Sequence, residues 1–174
     1  MNQEINSDFF KKDVLEVAPL LLGKNLIRHF PDGRIEHYLI TETEAYKGVE
    51  DLACHASKGR TPRTEIMFHE GGSYYVYLIY GMHWMLNIVT GTENNPQAVL
   101  IRGIKGFIGP GRVSKKLAID QSFYGESALH SSRLFIRNGL QNVQYIEAPR
   151  IGIDYAGEHW KNVLWRFVMI GSNI

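Results

Sequence analysis

Cysteine is almost missing from this chain. Of its 174 residues one is cysteine, Cys54, which excludes an internal disulfide and a thiolate metal cluster; an isolated cysteine is usually a small buried apolar residue. An excess of one charge is missing as well. Nineteen Lys and Arg stand against 18 Asp and Glu, a net charge of +1, which by itself does not advertise a nucleic-acid partner. There is no internal repeat and no low-complexity linker, and the length suits one core rather than two. A single domain over 1–174 is therefore expected. Met1 to Lys12 holds Asn2, Gln3, Glu4, Asn6, Asp8, Lys11 and Lys12, so it lacks the apolar stretch of a signal peptide or a membrane span, which predicts a soluble protein inside the cell with no membrane partner. His55, His69 and His83 are scattered over expected loops without ligand spacing, so no metal is expected. The glycines around Pro110 lack the spacing of a nucleotide P-loop.

What is present is strand pattern and turn chemistry. Asn25 to Phe30 and Ile35 to Ala45 flank Pro31-Asp32-Gly33, which reads as a β-hairpin that places Glu44 at the end of its second strand. Tyr74 to Tyr80 and Trp84 to Val89 flank Gly81-Met82-His83 and read as a second hairpin. A strand at 98–101 extends the sheet, and later strands are expected near Arg133–Arg137, Val143–Glu147 and Trp165–Ile170. Helical signals are short. Ser7 or Asp8 caps a turn through Phe10; Val14 to Leu22 carries a helix limited by Pro19 and stopped by Gly23; Thr61-Pro62 opens one through Phe68; and Gly109-Pro110-Gly111 introduces a basic one over Arg112–Ile119. The expected class is α+β: a curved, mainly antiparallel sheet with flanking short helices and a protruding β-hairpin.

Several residues can carry chemistry. Glu42 and Glu44 are two positions apart on a strand and share a face with Tyr46; they are either two solvated glutamates or a reactive pair beside an aromatic plane. In the second hairpin Tyr75 and Tyr77 face one way and Tyr74 and Tyr80 the other, and a core strand rarely needs four phenols, each of which must find a partner when buried. Packing is one explanation. The other is that an aromatic at a hairpin tip, where Tyr80 falls, wedges between base pairs. Between Lys58 and Lys116 the basic residues Lys58, Arg60, Arg63, Arg102, Lys105, Arg112, Lys115 and Lys116 outnumber Glu65, Glu70 and Glu93, which is either a solvated face or a local phosphate-binding surface.

Taken together, Leu22-Gly23-Lys24, Glu42-Thr43-Glu44-Ala45-Tyr46, Asp51 to His55, Thr61-Pro62-Arg63, Met67-Phe68, Tyr75-Val76-Tyr77-Leu78-Ile79-Tyr80-Gly81-Met82, Leu86-Asn87, Val99-Leu100-Ile101-Arg102, Gly109-Pro110-Gly111 and Ala156-Gly157-Glu158 resemble, in order over most of the chain, the alkyladenine DNA glycosylase family, the mammalian-type 3-methyladenine DNA glycosylases. The resemblance implies a base-excision-repair enzyme acting on double-stranded DNA that contains a damaged purine, as a monomer, without a cofactor and without strand cleavage, in the cytoplasm if bacterial. It implies Glu44 as the general base for water, with Arg102 beside it. Tyr46 and His55 on one side and Tyr77 on the other would sandwich the flipped base, Asn87 would exclude guanine through its exocyclic amino group, and the carbonyl of Ile153 would contact the water. Tyr80 would be the wedge, with Met82 and His83 beside it, and Arg60, Thr61 and Arg112 would meet phosphates.

Three departures from the family's pattern stand out. Where members continue after the arginine with Ala-Leu-Glu-Pro and a helical segment, this chain has Gly103-Ile104-Lys105-Gly106-Phe107-Ile108. Arg112-Val113-Ser114-Lys115-Lys116 replaces the usual Lys-Leu-Cys, and Asp154 stands where glycine is common. The shortened segment makes a noncatalytic damaged-DNA binding module the rival reading, and stacking of single strands on the tyrosines is a third.

Overall fold

Alternating burial along the strands decides how the sheet sits between its two sides. In the computed structural model, which describes residues 5–171, the strands are β1 (Asn25–His29), β2 (Ile35–Lys47), β3 (Tyr74–Ile79), β4 (His83–Thr90), β5 (Gln97–Ile104), β6 (Phe107–Ile108), β7 (Leu134–Arg137), β8 (Tyr145–Ala148) and β9 (Arg166–Met169). The main path runs β3-β4-β5-β2-β1-β7, with β6 on β5, β9 on β2 and β8 on β9. Every pairing is antiparallel. The result is a single α+β domain with an open nine-stranded antiparallel sheet and a few short helices, as the strand pattern predicts.

One side of the sheet is the main core. Tyr74 and Val76 of β3, Ile88 of β4, Val99 and Ile101 of β5, and Ala45 of β2 pack there with α2 (Val14–Leu20) and α3 (Pro110–Lys116). Each large side chain buried in this way contributes roughly 1.5–3 kcal/mol. The alternate positions emerge on the opposite side. Tyr75, Val89 and Ala98, with Tyr46 and Tyr77 packed against them, form a second, smaller cluster there. Ile40 shares the main core with Ala45, so the alternation of β2 is interrupted by the irregularity at Ile40–Thr43; beyond it Thr43 points toward α2, its hydroxyl donating to Ala18 O at 2.9 Å, while Glu44 and Tyr46 take the other face with Glu42.

The helices are shorter than, or shifted from, their predicted positions. Asn6, not Ser7 or Asp8, caps α1 (Ser7–Phe10) by accepting from Phe9 N. Asp13 caps α2, which ends at Leu20 because Pro19 cannot support a further turn. Thr61-Pro62 makes a turn rather than a helix: the Thr61 and Thr64 hydroxyls bond each other at 3.0 Å, and only a 3₁₀ turn, Glu65–Phe68, follows. Helix α3 begins at Pro110, two residues before the expected Arg112, and stops at Lys116. β2 continues past Glu44 to Lys47, β5 is longer than 98–101, and β8 lies at Tyr145–Ala148 rather than Val143–Glu147. The unforeseen elements are β6, the 3₁₀ turns at His55–Lys58, Gln121–Phe123 and Asp154–Ala156, and the short α4 (Gly157–Asn162).

The segment after Arg102 folds into support for it. Gly103 and Ile104 pair with Ile108 and Phe107, and Gly109 N donates to Arg102 O at 2.9 Å. Gly103 is required by proximity: a Cβ there would lie 2.8 Å from Glu42 Cβ, where the β2–β5 register shifts between Glu42 and Thr43.

Candidate active site

A cleft of about 740 Å³ opens on the second face of the sheet, and Glu44 lies in its wall. The carboxylate is wholly buried. Its Oε2 accepts from the Tyr46 hydroxyl at 2.8 Å, and its Oε1 accepts from Ile151 N at 2.9 Å. Arg102 Nη1 stands 3.7 Å from the same Oε1. Burial is the largest influence on Glu44 and pushes its pKa up, opposed by Arg102, the Ile151 N–H and the Tyr46 hydroxyl. Burial also raises the Tyr46 phenol well above its ordinary range, so it remains a hydrogen-bond donor.

Glu42 is the second carboxylate and has a different task. Its Oε1 accepts from Arg102 Nε at 3.0 Å and from Arg166 Nη1 at 2.8 Å. Arg166 reaches it because β9 pairs with β2, with Glu44 opposite Arg166. Glu42 therefore fixes the guanidinium that faces Glu44. The carboxylate pair is neither solvated nor symmetric: one member is paired with two arginines, and the other is buried in the cleft wall beside a tyrosine hydroxyl, a backbone amide and one arginine.

The aromatic wall comes from β3 and the loop after β2. His55 Nδ1 shares a 2.8 Å hydrogen bond with the Tyr75 hydroxyl, and its ring meets Tyr77 edge-on at 4.6 Å. Burial, with Arg63 and Lys58 nearby, pushes His55 down to about 4, so the ring is neutral at pH 7. A ring sandwiched between two others needs roughly 7 Å, twice an ordinary contact; His55 and Tyr77 are closer than that. Asn87 is buried on β4, and its Nδ2 donates to Tyr75 O at 3.1 Å and Met85 O at 3.4 Å, which pins the amide. Cys54 is buried in the same lining, its thiol pushed up to about 12 by burial.

The structure gathers Glu44, Tyr46, His55, Tyr77, Tyr80, Asn87, Arg102 and Ile153 around one cleft. The Ile153 carbonyl accepts from Ala156 N at 2.9 Å. Tyr80 also forms the tip of the β3–β4 hairpin, 89% exposed, with Met82 exposed beside it. Tyr80 and Gly81 have φ of 50° and 65°, both positive as a tight hairpin turn of the I′ kind demands. His83 opens β4 and abuts Gly111 at the start of α3, so the tip and that helix are neighbours. Arg60, Thr61 and Arg112 lie outside the lining. Arg60 is held by two 2.8 Å bonds to Glu65, the Thr61 hydroxyl turns to Thr64, and Arg112 is exposed. Sequence reading singled out neither Arg150, which bonds Asp51, nor Arg166; both partnerships join residues about a hundred or more positions apart, at separations of 99 and 124. Arg63, named there only within the basic stretch and the Thr61-Pro62-Arg63 segment, stands in the cleft wall, its guanidinium 4.9 Å from the Tyr77 ring centre. No helix among the described residues is long and apolar enough to cross a membrane.

The sequence profile of the methylpurine-DNA glycosylase family matches residues 8–108 and 106–173 of the chain. A protein of Borreliella afzelii is 44% identical over 177 residues, spanning 94% of this chain and 95% of its own. One from Methanocella arvoryzae is 42% identical, over 92% of this chain and 89% of its own, and one from Psychrobacter cryohalolentis is 40% identical, over 94% and 91%. All three carry the name "Putative 3-methyladenine DNA glycosylase".

Proposed function

The chain belongs to the methylpurine-DNA glycosylase family, and on that premise we propose that it extrudes an alkylated or deaminated purine from duplex DNA and hydrolyses its N-glycosidic bond, leaving an abasic site. Its class is thereby a DNA-repair hydrolase of N-glycosyl bonds. The observation that carries the mechanism is the wholly buried Glu44 carboxylate, held by Tyr46 and Ile151 and faced by Arg102.

As the C1′–N9 bond breaks, its electron pair leaves with the purine and positive character develops on the sugar. A fixed, buried carboxylate stabilises that charge. The same carboxylate takes a proton from water as the water oxygen bonds to C1′. The target bond is inaccessible in stacked DNA, so the base must leave the helix, and a damaged or mispaired base is cheaper to extrude. On this reading the flipped base stacks between Tyr46 and Tyr77, with neutral His55 at its edge, and Asn87 clashes with a guanine amino group. The hairpin built after Arg102 supports turnover over a purely binding role, since the arginine is braced rather than lost.

Single-turnover reactions on duplexes carrying hypoxanthine, 1,N6-ethenoadenine or 3-methyladenine should release the base, and strands should break only after alkali. Intact binding with no release on any of these lesions would favour the binding module instead.

The wedge reading of Tyr80 is separable from folding. Tyr80→Gly removes an αL conformation costing about 1 kcal/mol, offset by glycine's greater chain entropy, so thermal stability should be nearly unchanged. Base release from duplex should fall by about ten- to a hundredfold, the worth of one lost stacking partner. Release from the same lesion in a single strand should not change. An equal loss on both substrates would remove Tyr80 from the flipping step.

A further inference from the structure

Arg150 and Asp51 take no part in the chemistry above, yet both side chains are fully shielded from solvent. They form a bidentate pair, Nη1 to Oδ2 at 2.6 Å and Nη2 to Oδ1 at 2.9 Å. A pair this deep is weak evidence for stability, because desolvation can exceed the Coulomb gain and apolar residues often hold a fold as well. The attachments of the pair point to a different use. Asp51 also accepts from Ala53 N and Lys47 N, which shapes the loop leading to His55. Arg150 Nη1 donates to Ala45 O at 3.0 Å, between Glu44 and Tyr46. Its guanidinium lies 4.8 Å from the Tyr46 ring centre and 5.1 Å from that of Trp165, while its buried Nε has no acceptor. The next residue, Ile151, sends its N–H to Glu44.

We propose that the Asp51–Arg150 pair is the positioning device of the cleft: by tying residue 150 to Ala45 and to the His55 loop, it delivers the Ile151 N–H to Glu44. The proposal rests on the reading of Glu44 as the base. A hydrogen bond to the charged form favours ionisation, so losing the amide makes Glu44 harder to deprotonate and moves the acid limb of activity to higher pH. The groups facing Glu44 are Glu42 and Tyr46 of β2, Arg102 of β5, Tyr77 of β3, Arg166 of β9, and Tyr155. Asp51 and Arg150 carry opposite charges, so removing both leaves the net charge around Glu44 unchanged, and an altered titration reports the amide.

The test labels glutamate side-chain carboxyls with carbon-13, assigns Glu44 by its absence in Glu44→Gln, and follows its titration in the native protein, in Asp51→Asn/Arg150→Met and in Arg150→Lys. The double variant keeps an acceptor for Ala53 N and buries no unpaired charge. Arg150→Lys keeps the cation but loses the fork, and it decides the matter if the double variant does not fold. The Glu44 midpoint should rise by about one pH unit, the scale of one hydrogen bond to a charged group. A native midpoint in the folded variants overturns the proposal. Base release from a hypoxanthine duplex, measured alongside, should show its acid limb moving with the midpoint. A midpoint that rises in the variants, together with a native protein that releases no base, would leave the positioning assignment standing and overturn the catalytic reading of Glu44.

Discussion

Glu44→Gln should abolish base release while making the protein more stable at neutral pH. Glutamine preserves the shape and can still accept from Ile151 N, but it cannot take a proton from water or carry the charge that offsets the developing cation. The single-turnover rate should fall roughly a thousandfold, with binding to damaged duplex retained. The stability change follows from linkage. Burial raises the folded-state pKa of Glu44, so the folded protein holds that proton more tightly than the unfolded chain does. Stability from this group is present below the unfolded pKa and is lost as pH rises through the folded one. Rising pH therefore costs the native protein stability at Glu44, and the variant is spared that cost. Thermal unfolding should show the variant ahead at pH 7–8, its lead closing toward pH 4. Activity equal to native would sink the role given to Glu44; a variant less stable at pH 8 would overturn the account of its burial.

Arg102→Met should be damaging on both counts. The guanidinium bonds Glu42 and faces Glu44, and it is mostly buried, its side chain 14% exposed. Without it, Glu42 keeps Arg166, but Glu44 keeps only its two hydrogen bonds. Stability should fall by about 3 kcal/mol at pH 7, the scale of removing one partner from a buried pair. Because Arg102 favours the ionised form of Glu44, the deficit should shrink on acidification as that carboxyl takes up its proton. Base release should fall about a hundredfold, with its acid limb moved to higher pH. The effects should not add: in a Glu44→Gln background the same arginine change should cost less stability, because the charge it served is gone. Strict additivity in that cycle would mean that Arg102 and Glu44 do not interact.

The two long hairpins were readable from local chemistry. Pro31-Asp32-Gly33 and Gly81 sit between alternating runs, and the strands follow. Short helices were harder, because helices of four to seven residues give too little periodicity to fix an end, and Thr61-Pro62 carried a capping signal that the chain used for a hydroxyl-bonded turn. At the cleft, spacing placed Glu42, Glu44 and Tyr46 on one face, yet it could not say whether that face was wet. Their chemical roles came from the family resemblance rather than from spacing. Asp51–Arg150 and Glu42–Arg166 were invisible because each joins distant stretches through tertiary packing and leaves no local pattern. The brace behind Arg102 was hidden for another reason: six residues with two glycines carry little pattern, although they suffice for a two-residue pairing of β5 with β6.

The position of the cleft within the sheet has a mechanical consequence. Glu44 and Arg102 stand on β2 and β5, central strands with neighbours on both sides, whereas Tyr80 stands at the end of β3, the outermost strand on that side. Fluctuations that loosen an outer hairpin cost far less free energy than those that part central strands. If Tyr80 is the wedge proposed above, the hairpin can yield against a duplex while the carboxylate and its arginine stay in register. On that reading, search and chemistry would draw on different parts of the same sheet, the outer strand yielding more readily than the central ones.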